Sequence, residues 1–484
     1  MEKTIGIEDM AAFCKKKGFV YPSGEIYGGL SGFWDYGPLG SELKKNLKDS
    51  WWKYHVQNRE DIVGIDGSII TNPTVWEASG HVDCFTDVYV VCKKCKKPNK
   101  LDKNEVGKVK CECGSDYDVK GDINMMFTTQ VGPVEGTSAY LRPETAQLIF
   151  SNFKLVAENA RLKLPFGIAQ MGKAFRNEIS PRDFLFRCRE FEQMEIEYFV
   201  HPKKTNECPF IKEVLNHKIA IWSEDLQVKN KEAVKMSMKD ALDKKIIKTE
   251  WHAYWLAMEH KWFISLGASA DDFRIRQHVA DEKSHYALDT WDLEYKFPFG
   301  FKELQGMANR TDFDLQSHIK HSKKDLSLFD EETKEKVVPH VVAEPSQGVD
   351  RAFLVFMFDA YEDDPKRGNI VLKLSSKLAP VKIGVFPLVN KLKDEGRKVY
   401  DTLKEEFVCQ FDSSGSVGKR YARADEIGTP YCLTYDFDSV KDKCVTVRDR
   451  DSTKQIRVKI EELKEVLRKL LGSEIKFEEA GKLI

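Results

Sequence analysis

The sequence predicts a multidomain protein in which an α+β domain built on antiparallel strands precedes an α/β domain. The chain has 484 residues, which is too long for one hydrophobic core and fits two or three domains of about 100–200 residues each. Charged residues at strand spacing between Arg176 and Glu195 predict an antiparallel hairpin. Beyond Pro380, strand patterns and helix patterns alternate, which is typical of an α/β unit.

Composition excludes several classes of protein. Hydrophobic residues make up 42% and charged residues 32% of the chain, as is typical of a soluble globular protein. No apolar run reaches the length of a membrane span, and the acidic start with Glu2, Glu8 and Asp9 lacks a signal-peptide pattern. We therefore expect no membrane association and a cytoplasmic location. Because the formal net charge is only −1, any contact with RNA must come from local basic patches.

The first long element is an amphipathic helix. Gly37-Pro38 opens a pattern with apolar side chains at every fourth position: Leu39, Leu43, Leu47 and Trp51. Because proline suits the first turn of a helix, the pattern predicts a helix that runs to about His55. Two strand patterns follow, over residues 61–66 and 68–70, before Asn72-Pro73.

The cysteines indicate a metal site. There are eleven of them, an odd number that argues for thiols and metal ligands rather than a disulfide framework. Four form a compact group with C-x2-C and C-x-C spacing, namely Cys92, Cys95, Cys111 and Cys113. Four soft ligands suit tetrahedral zinc, which would stabilise a polar segment that cannot build a core. We predict a zinc-knuckle-like insertion over 92–120 that holds structural Zn²⁺. Since the C-x-C pair is unusually tight, independent thiols or a degenerate site stay open as the alternative.

A second insertion is expected in the middle of the chain. Residues 203–250 are lysine-rich, polar and helix-prone, which predicts a helical insertion whose charges face solvent. Residues 251–266 place aromatic side chains at helical spacing and are expected to form a buried helix. A strand-rich block follows over 295–315.

A polar stretch over residues 373–380 divides the chain into predicted units 1–376 and 377–484. In the second unit we expect strands and helices in alternation, over 381–386, 392–407, 431–435, 444–448 and 460–471. The glycines between 415 and 418 lack the spacing of a phosphate-binding loop, so that interpretation is rejected.

The predicted hairpin carries the most specific chemistry. In extended chain, residues two apart share a face, so Arg176 lies with Glu178, and Phe191 lies with Gln193 and Glu195. Guanidinium groups bind phosphates as a fork, an aromatic ring can stack on a base, and carboxylates accept hydrogen bonds from amines. The pattern therefore indicates a nucleotide site beside an amino-acid site. By itself it also fits a salt-bridged surface hairpin.

The hairpin resembles motif 2 of class II aminoacyl-tRNA synthetases, and the helix, strand and proline before it resemble motif 1. Three further segments complete the resemblance: Leu141 to Gln147 before the hairpin, and Lys302 to Leu315 and Glu344 to Arg351 after it. Together these segments closely resemble the glycyl-tRNA synthetase family of the homodimeric type. Near the C-terminus, residues 381–385 and 418–430 resemble the anticodon-binding domain of class IIa synthetases.

This resemblance implies a fold and an activity. The fold would be a class II catalytic domain on an antiparallel sheet, with the small cysteine-rich insertion, followed by an α/β anticodon-binding domain. The activity would be ATP- and Mg²⁺-dependent formation of glycyl-adenylate and transfer of glycine to the 3′ end of tRNA(Gly), by a homodimer. Two alternatives remain: a class IIa synthetase for another amino acid, and a non-catalytic synthetase-like protein that binds tRNA or another nucleic acid.

The resemblance also assigns an ATP site. Arg176 would hold the α-phosphate, Arg351 the γ-phosphate and Glu303 a Mg²⁺ ion, and these three residues would be catalytic. Glu303 otherwise fits an ordinary salt bridge at a strand end. Glu178 would accept from the adenine amino group while Phe191 stacks on the base. The full predicted ATP-binding set is Arg176, Asn177, Glu178, Phe186, Arg187, Phe191, Glu303, Leu304, Gly348 and Arg351.

By the same resemblance, three carboxylates surround the ammonium group of glycine. They are Glu144, Glu195 and Glu344, with Ser346 where a larger side chain would project and Arg310 on the substrate carboxylate. Like charges raise the pKa of one another, so the ammonium group is expected to keep these acids ionised. The predicted substrate-binding set is Lys100, Glu144, Phe191, Glu192, Gln193, Glu195, Arg310, Glu344 and Ser346, although Lys100 also fits a solvated side chain. In the C-terminal unit, Lys419, Arg420 and Arg423 are expected to contact tRNA phosphates.

Overall fold

The computed structural model describes residues 5–101, 105–133, 136–282 and 288–484. In chain order its α-helices are α1 (Ile7–Lys17), α2 (Pro38–Trp52), α3 (Pro73–Ala78), α4 (His81–Cys84), α5 (Ala146–Asn159), α6 (Glu224–Val228), α7 (Met238–Asp243), α8 (Glu250–Ser265), α9 (Phe313–Ser322), α10 (Val349–Ala360), α11 (Lys393–Leu403), α12 (Val417–Glu426), α13 (Phe437–Asp442) and α14 (Leu463–Leu471). None of the helices in the described ranges combines the length and the apolar composition that a membrane span requires.

The strands fall into several sheets. In chain order they are β1 (Val20–Pro22), β2 (Trp34–Tyr36), β3 (Ile62–Ile65), β4 (Thr86–Cys92), β5 (Pro98–Leu101), β6 (Tyr117–Asn124), β7 (Thr128–Val131), β8 (Thr137–Tyr140), β9 (Phe166–Phe175), β10 (Glu190–Val200), β11 (Lys218–Trp222), β12 (Val234–Ser237), β13 (Phe273–Gln277), β14 (Asp289–Phe297), β15 (Gly300–Asn309), β16 (Leu328–Asp330), β17 (Glu335–Val337), β18 (His340–Gly348), β19 (Tyr361–Asp364), β20 (Asn369–Leu372), β21 (Ile383–Pro387), β22 (Cys409–Phe411), β23 (Tyr431–Tyr435), β24 (Cys444–Asp449), β25 (Gln455–Lys459) and β26 (Lys482–Leu483).

A nine-stranded sheet forms the centre of the first unit. Its order is β12-β11-β13-β14-β15-β18-β10-β9-β3, and its pairs are antiparallel except β11 with β13 and β3 with β9. The antiparallel catalytic-type sheet predicted from the sequence is therefore present. One face of the sheet packs against α2, α8 and α10 in the main hydrophobic core, which buries Trp251, Trp255 and Trp262 of α8. The predicted buried helix over 251–266 is confirmed by α8.

The predicted hairpin is confirmed, with one change at its tip. Strands β9 and β10 pair antiparallel from Glu190 opposite Phe175 to Phe199 opposite Phe166. Strand β9 ends at Phe175, so Arg176 and Glu178 lie beyond it rather than in an alternating strand. The reason is a tight turn, in which the backbone N–H of Glu178 donates to the carbonyl oxygen of Arg176 at 2.7 Å.

The predicted helix and strand of the motif 1 region are also present, but the second strand is not. Helix α2 continues into a π-helical turn over Lys53–Gln57, and β3 runs parallel to β9. The expected strand over 68–70 is wrong, because Ile70 makes only an isolated bridge with Leu141. The chain then turns at Asn72, whose side chain caps α3.

The insertion over 203–250 is not the helical appendage that its composition predicts. It contains the short helices α6 and α7, but β11 precedes α6, β12 lies between the two helices, and both strands extend the central sheet at its edge. Ile219 and Ile221 of β11 are buried and alternate with more exposed residues. A strand of only five residues between lysines was too short to outweigh the helix-prone composition around it.

The cysteine-rich segment folds as a small three-stranded sheet in the order β5-β4-β6. Among its described residues, its own apolar cluster consists of Val88, Val90 and Leu101, with Tyr117 beside it. So small a core cannot offset the conformational entropy of the segment. Additional stabilisation, such as a bound metal, is consistent with this arrangement.

The C-terminal residues form a six-stranded sheet in the order β22-β21-β23-β24-β25-β26. The pairs of β21 are parallel, and the pairs from β23 to β26 are antiparallel. The sheet and its helices bury a separate core that includes Ile383, Leu433 and Leu467. The alternating strands and helices predicted from the sequence are present, and the boundary at residue 376 stays a prediction.

Candidate functional site

A cavity of about 390 Å³ opens on the central sheet at strands β10, β15 and β18. It brings together almost the whole predicted site, although these residues are up to 251 positions apart, from Lys100 to Arg351. The predicted residues that line it are Lys100, Glu144, Arg176, Glu178, Phe186, Arg187, Phe191, Gln193, Glu195, Glu303, Leu304, Arg310, Glu344, Ser346, Gly348 and Arg351. Asn177 and Glu192 do not line it.

Strand pairing explains which side chains face the cavity. Glu195 of β10 lies opposite Ser346 of β18, and Ser346 lies opposite Gly306 of β15. Because side chains alternate along a strand, the residues two positions away on β10 and β18 share that face. Met194, which lies between Gln193 and Glu195 on β10, is fully buried in the main core on the other face. The sheet thus separates a polar site face from an apolar packing face.

Glu192 belongs to the packing face, so its assignment to the substrate site is not supported. Its carboxylate lies 3.0 Å from Lys44 Nζ and also pairs with Lys48, both on α2. Burial raises the pKa of Glu192, but the charges of Lys44 and Lys48 outweigh burial and hold it below its ordinary value. Side chains alternate between the two faces of a strand, so Glu192, three positions before Glu195 on β10, lies on the opposite face from it.

One end of the cavity is cationic; we call Arg176, Arg187 and Arg351 the arginine end. Arg351 donates to the carbonyl oxygen of Glu303 at 2.9 Å, and its guanidinium carbon lies 4.5 Å from the ring centre of Phe186. Arg176 donates through Nε to the carbonyl oxygen of Pro143 at 3.0 Å. Carbonyls and rings thus orient Arg176 and Arg351, and Arg351 Nη1 also lies 3.4 Å from the Glu303 carboxylate.

The ring of Phe191 faces Arg176, whose guanidinium carbon lies 5.3 Å from the ring centre. Next to it, Glu178 is buried, and its Oε2 atom has no hydrogen-bond donor among the described residues. Lys100 Nζ donates to Asp87 at 2.7 Å and lies 3.7 Å from the Glu178 carboxylate. Lys100 is therefore part of the cavity wall rather than a solvated lysine. A hydrogen-bond acceptor beside an aromatic ring suits adenine, which can donate from its amino group and stack on the ring.

A pair of carboxylates, Asp292 and Glu303, lies beside the arginine end. His278 Nε2 and Asp292 Oδ2 are 2.8 Å apart. Burial and the nearby Glu303 raise the pKa of Asp292 to about 6, against the opposing effect of His278. Burial also raises the pKa of Glu303, but the charge of Arg351 brings it below its ordinary value. Two such oxygen ligands next to a phosphate site fit Mg²⁺, which prefers one or two carboxylates plus phosphate oxygens.

The opposite end of the cavity is acidic; we call Glu144, Glu195 and Glu344 the acid end. Glu144 Oε2 lies 3.3 Å from His81 Nε2. Glu195 accepts a hydrogen bond from the hydroxyl of Thr145. All three predicted ammonium-binding carboxylates thus meet in one place, from β18, β10 and the segment before α5.

The three carboxyl groups have different proton affinities. Burial raises the pKa of Glu144, but His81 and Arg310 outweigh burial and hold it well below its ordinary value. Burial and the charge on Glu144 raise the pKa of Glu195. Burial and the neighbouring Glu195 raise the pKa of Glu344 to about 8, despite the opposing charge of Arg310. The like-charge effect expected from the sequence is therefore concentrated on two of the three acids.

Arg310 does not point to the partner predicted for it. It is only 3% exposed and forms a two-pronged pair with Asp314 at 2.7 and 2.8 Å, while Nη1 donates to Glu344 at 2.7 Å. These bonds commit the guanidinium group to protein carboxylates, so its predicted contact with the substrate carboxylate is not supported. Instead, Arg310 fixes the position of Glu344 at the acid end.

Ser346 is held in place between the two strands. Gln193 Nε2 donates to Ser346 Oγ at 3.1 Å, and Gly306 lies opposite on β15. A Cβ atom at Gly306 would lie 3.9 Å from Asp292 and 4.0 Å from Glu303. A side chain there would occupy the cavity beside the carboxylate pair, and glycine leaves that space for a ligand.

The four predicted metal ligands meet at one end of the small sheet. The Sγ atoms of Cys92 and Cys113 lie 3.4 Å apart, and those of Cys95 and Cys111 lie 3.6 Å apart. Tetrahedral zinc with Zn–S bonds of about 2.3 Å requires sulfur atoms about 3.8 Å apart. Burial raises the pKa of Cys92, but backbone N–H donors from Cys95 and Lys94 lower it to about 6. The geometry of the four sulfur atoms fits Zn²⁺.

The basic residues of the C-terminal unit differ from expectation. Arg420 is 3% exposed and donates to the carbonyl oxygens of Pro387 at 2.5 Å and of Gly415 at 2.7 Å. Arg423 pairs with Asp412 at 2.5 Å. Arg420 therefore stabilises the loop before α12, and the expectation that it contacts phosphates is not supported. Lys419 remains exposed on the same helix.

The fold and the cavity define a class II aminoacyl-tRNA synthetase. Residues 117–361 match the tRNA synthetase class II core domain (G, H, P, S and T), and residues 382–470 match the anticodon binding domain. Among solved structures, the chain is similar to prolyl-tRNA synthetase from Cryptosporidium parvum, with a TM-score of 0.58 and 15% identity over 98% of this chain and 79% of that one. At that identity the likeness shows the fold alone.

Comparison with curated proteins identifies the family within this class. The chain is 45% identical to the glycine–tRNA ligase of Acetivibrio thermocellus over 96% of this chain and 98% of the relative. It is 44% identical to that of Ruminiclostridium cellulolyticum, over 96% and 97%, and 43% identical to that of Geobacillus thermodenitrificans, over 96% and 98%. The chain belongs to the glycine–tRNA ligase family, as the sequence motifs indicate.

Proposed function

We propose that this chain is a glycine–tRNA ligase that activates glycine with ATP and transfers it to the 3′ end of tRNA(Gly). The observation that carries the proposal is the polarity of the cavity, which has fixed cations at one end and clustered carboxyl groups at the other. A triphosphate and an ammonium group are the ligands that this pair of ends suits. Family membership supports the same reaction.

In the first step, a carboxylate oxygen of glycine attacks the α-phosphorus of ATP, the bond between the α-phosphorus and its bridging oxygen breaks, and pyrophosphate leaves. The attacking oxygen is already an anion, so the step requires no general base. We propose that Arg176 holds the α-phosphate and stabilises the charge that develops on it, and that Arg351 holds the γ-phosphate. Catalysis by positioning and by fixed cations suits this class of reaction.

Asp292 and Glu303 would hold Mg²⁺ against the phosphates; Asp292 was not predicted from the sequence. The bound ion would neutralise charge on the departing pyrophosphate. His278 orients Asp292 through the 2.8 Å contact, as partners of metal-ligating carboxylates commonly do. Glu178 and Phe191 would bind the adenine ring by a hydrogen bond and by stacking.

We propose that Glu144, Glu195 and Glu344 accept hydrogen bonds from the three N–H groups of the glycine ammonium group. Ser346, held by Gln193, would stand where the side chain of a larger amino acid projects. Since a pocket can exclude larger substrates by steric overlap, the smallest amino acid needs no separate editing site. In the second step a ribose hydroxyl at the end of tRNA attacks the activated carbonyl and loses its proton to solvent, the bond between the carbonyl carbon and the phosphate oxygen breaks, and AMP leaves.

Amino-acid-dependent exchange of labelled pyrophosphate into ATP tests this proposal. Glycine is expected to stimulate exchange, and alanine, serine, proline, histidine and threonine are not. Stimulation by one of the others would favour a class IIa synthetase for that amino acid. No exchange with any amino acid would favour a non-catalytic tRNA-binding protein, which the grouping of Arg176, Glu178, Glu303 and Arg351 in one cavity disfavours.

Three further features belong to the proposal. Structural Zn²⁺ in the cysteine group is supported by the four clustered sulfur atoms and is tested by metal analysis of the purified protein. A homodimer is proposed on the resemblance of the segment around α2 to motif 1, and light scattering coupled to size-exclusion chromatography would measure it. The cytoplasmic location and the two-unit division at residue 376 also remain predictions.

A further inference from the structure

Glu197 lies below the acid end of the cavity, and the proposed reaction does not use it. It follows Glu195 by two positions on β10 and therefore lies on the site face of the sheet. One carboxylate oxygen from each of Glu195, Glu197 and Glu344 lies within 4.8 Å of the corresponding atoms of the other two. The Glu197 side chain is 0% exposed, so water does not solvate it.

Hydrogen bonding indicates the protonation state of this side chain. Neither carboxyl oxygen of Glu197 has a hydrogen-bond donor among the described residues. An ionised carboxylate that is buried without donors or a paired cation is far less favourable than the neutral acid. Glu197 therefore keeps its proton and carries an O–H group that requires an acceptor.

The charged groups around Glu197 agree with this assignment. They are Glu344 on β18, Glu195 on the same strand, Asp314 on α9 and Arg310 just before α9. The single cation in this set already binds Asp314 and Glu344. Burial and the charge on Glu344 both raise the pKa of Glu197 well above its ordinary value. Arg310 alone opposes this shift and is outweighed, whereas the neighbouring carboxylates are ready acceptors.

We propose that Glu197 is a neutral carboxylic acid that donates a hydrogen bond to Glu344 and so positions that carboxylate for the amino group of glycine. When glycine is bound, this bond favours the ionised form of Glu344, which is the form that an ammonium group needs. Glu197 is thus a positioning residue, not a group that touches the substrate. This inference rests on the proposed function, because it assigns Glu344 to glycine.

Substitutions separate a neutral donor from an anion. Glu197→Gln keeps the shape and supplies N–H donors, so the KM for glycine in pyrophosphate exchange should change by about threefold or less. Glu197→Met removes the donor and should raise that KM by roughly ten- to hundredfold, as expected for loss of a hydrogen bond to a charged group. Glu344→Gln should lose glycine-dependent exchange. The KM for ATP should stay unchanged in both Glu197 variants, which also shows that they are folded.

Two results would overturn the proposal. An equal loss in Glu197→Gln and Glu344→Gln would mean that Glu197 works as an anion, and an unchanged KM for glycine in Glu197→Met would mean that it positions nothing. A measurement without substrate adds a direct test. The infrared difference spectrum of ligand-free wild type minus Glu197→Gln at neutral pH should contain the C=O band of a protonated carboxyl group, and its absence would contradict the assignment.

Failure of the proposed function would look different. In that case the wild-type protein would show no glycine-dependent exchange, whereas the infrared band of Glu197 would still be present. Glu259 and Glu344 are further buried acids whose pKa burial raises, each to about 8, and both contribute the same band. Both are present in the two proteins, so the difference spectrum cancels their contributions, and the same measurement on Glu344→Gln identifies the band of Glu344.

Discussion

The two ends of the cavity differ in whether their charged groups can change protonation state. At the arginine end, carbonyls and aromatic rings orient Arg176 and Arg351, and Arg351 also pairs with Glu303. A guanidinium group does not release its proton in a protein. At the acid end, carboxyl groups can take up protons, and burial raises the pKa of both Glu195 and Glu344. The first end keeps its charge without a ligand, whereas the second can neutralise itself.

This difference has a consequence for binding. An end with permanent charge attracts an anionic ligand at any ordinary pH, and its binding free energy depends on salt. An end that holds protons when empty must release them before it can accept a cation. ATP binding should therefore respond to ionic strength, and glycine binding should respond to pH.

Removing the fixed charge should have the largest effect. Arg176→Ala should lower the rate of glycine-dependent pyrophosphate exchange by about 10²- to 10³-fold, because the guanidinium group stabilises charge that develops at the α-phosphate. Arg182→Ala, in the same loop but with an exposed side chain, is the matched control and should leave the tRNA-free reaction unchanged. An unchanged rate in Arg176→Ala would remove it from that role.

Changing the carboxylate pair should have the next largest effect. Asp292→Asn removes one proposed Mg²⁺ ligand and should lower exchange by roughly ten- to hundredfold at limiting Mg²⁺, with partial recovery at higher Mg²⁺. Glu294→Gln is the control, since Glu294 lies two positions along β14 and pairs with Arg274 outside the cavity. Equal sensitivity to Mg²⁺ in wild type and Asp292→Asn would place the ion elsewhere.

The residues found from the sequence and those missed differ in how they are recognised. The arginine end and the three acids lie in compact motifs, so the order of motifs was enough to group them. Asp292 lies in a strand pattern that reads as half-buried sheet, and His81 lies in a short helix, α4. Only the three-dimensional pairing brings them to Glu303 and Glu144. No local pattern marks them.

The alternation of side chains along β10 explains why Glu192 was wrongly assigned to the site and why Glu197 was missed. Every second residue of a strand faces the same side, so Glu197 shares the face of Gln193 and Glu195, and Glu192 does not. That signal was available in the sequence. The partners of Arg310 were not, because Asp314 lies one helical turn along and reaches Arg310 only after α9 forms. Strand β11, next to the edge of the central sheet, was not predicted because it lies in a lysine-rich segment whose composition favours helix.

Proton release on glycine binding should reveal that the empty acid end is protonated. In the empty site, the pKa of Glu344 is raised to about 8, so at neutral pH this group holds a proton that the glycine ammonium displaces. Binding should release up to about one proton below pH 8 and progressively less above it. Calorimetry in buffers of different ionisation enthalpy measures this number. A binding enthalpy independent of buffer would contradict the assigned protonation.

The raised pKa of Glu344 also predicts how the stability of the protein depends on pH. Because the folded-state pKa of Glu344 is higher than its ordinary value, its contribution to the free energy of unfolding is present at acid pH and is lost as the pH rises toward 8. Glycine should offset this loss, because it binds the ionised site. Thermal unfolding with and without glycine should therefore show a ligand-induced increase in Tm that grows from acid pH to about pH 8.

Removing zinc should have the smallest effect, and it should act on one end only. Lys100 lies on β5, in the same small sheet as Cys92 of β4, and contacts Glu178 at 3.7 Å. Loss of the metal should loosen this sheet and raise the KM for ATP by about two- to fivefold, the effect of one partly exposed ion pair, while the KM for glycine stays unchanged.

Cys113→Ser provides the metal-free protein, and Cys84→Ser, at an exposed cysteine outside the group, is the control. Metal content and both KM values are measured on the same samples. An equal rise in the two KM values would show that the cysteine group stabilises the whole unit, and the two ends of the cavity would then not be independent.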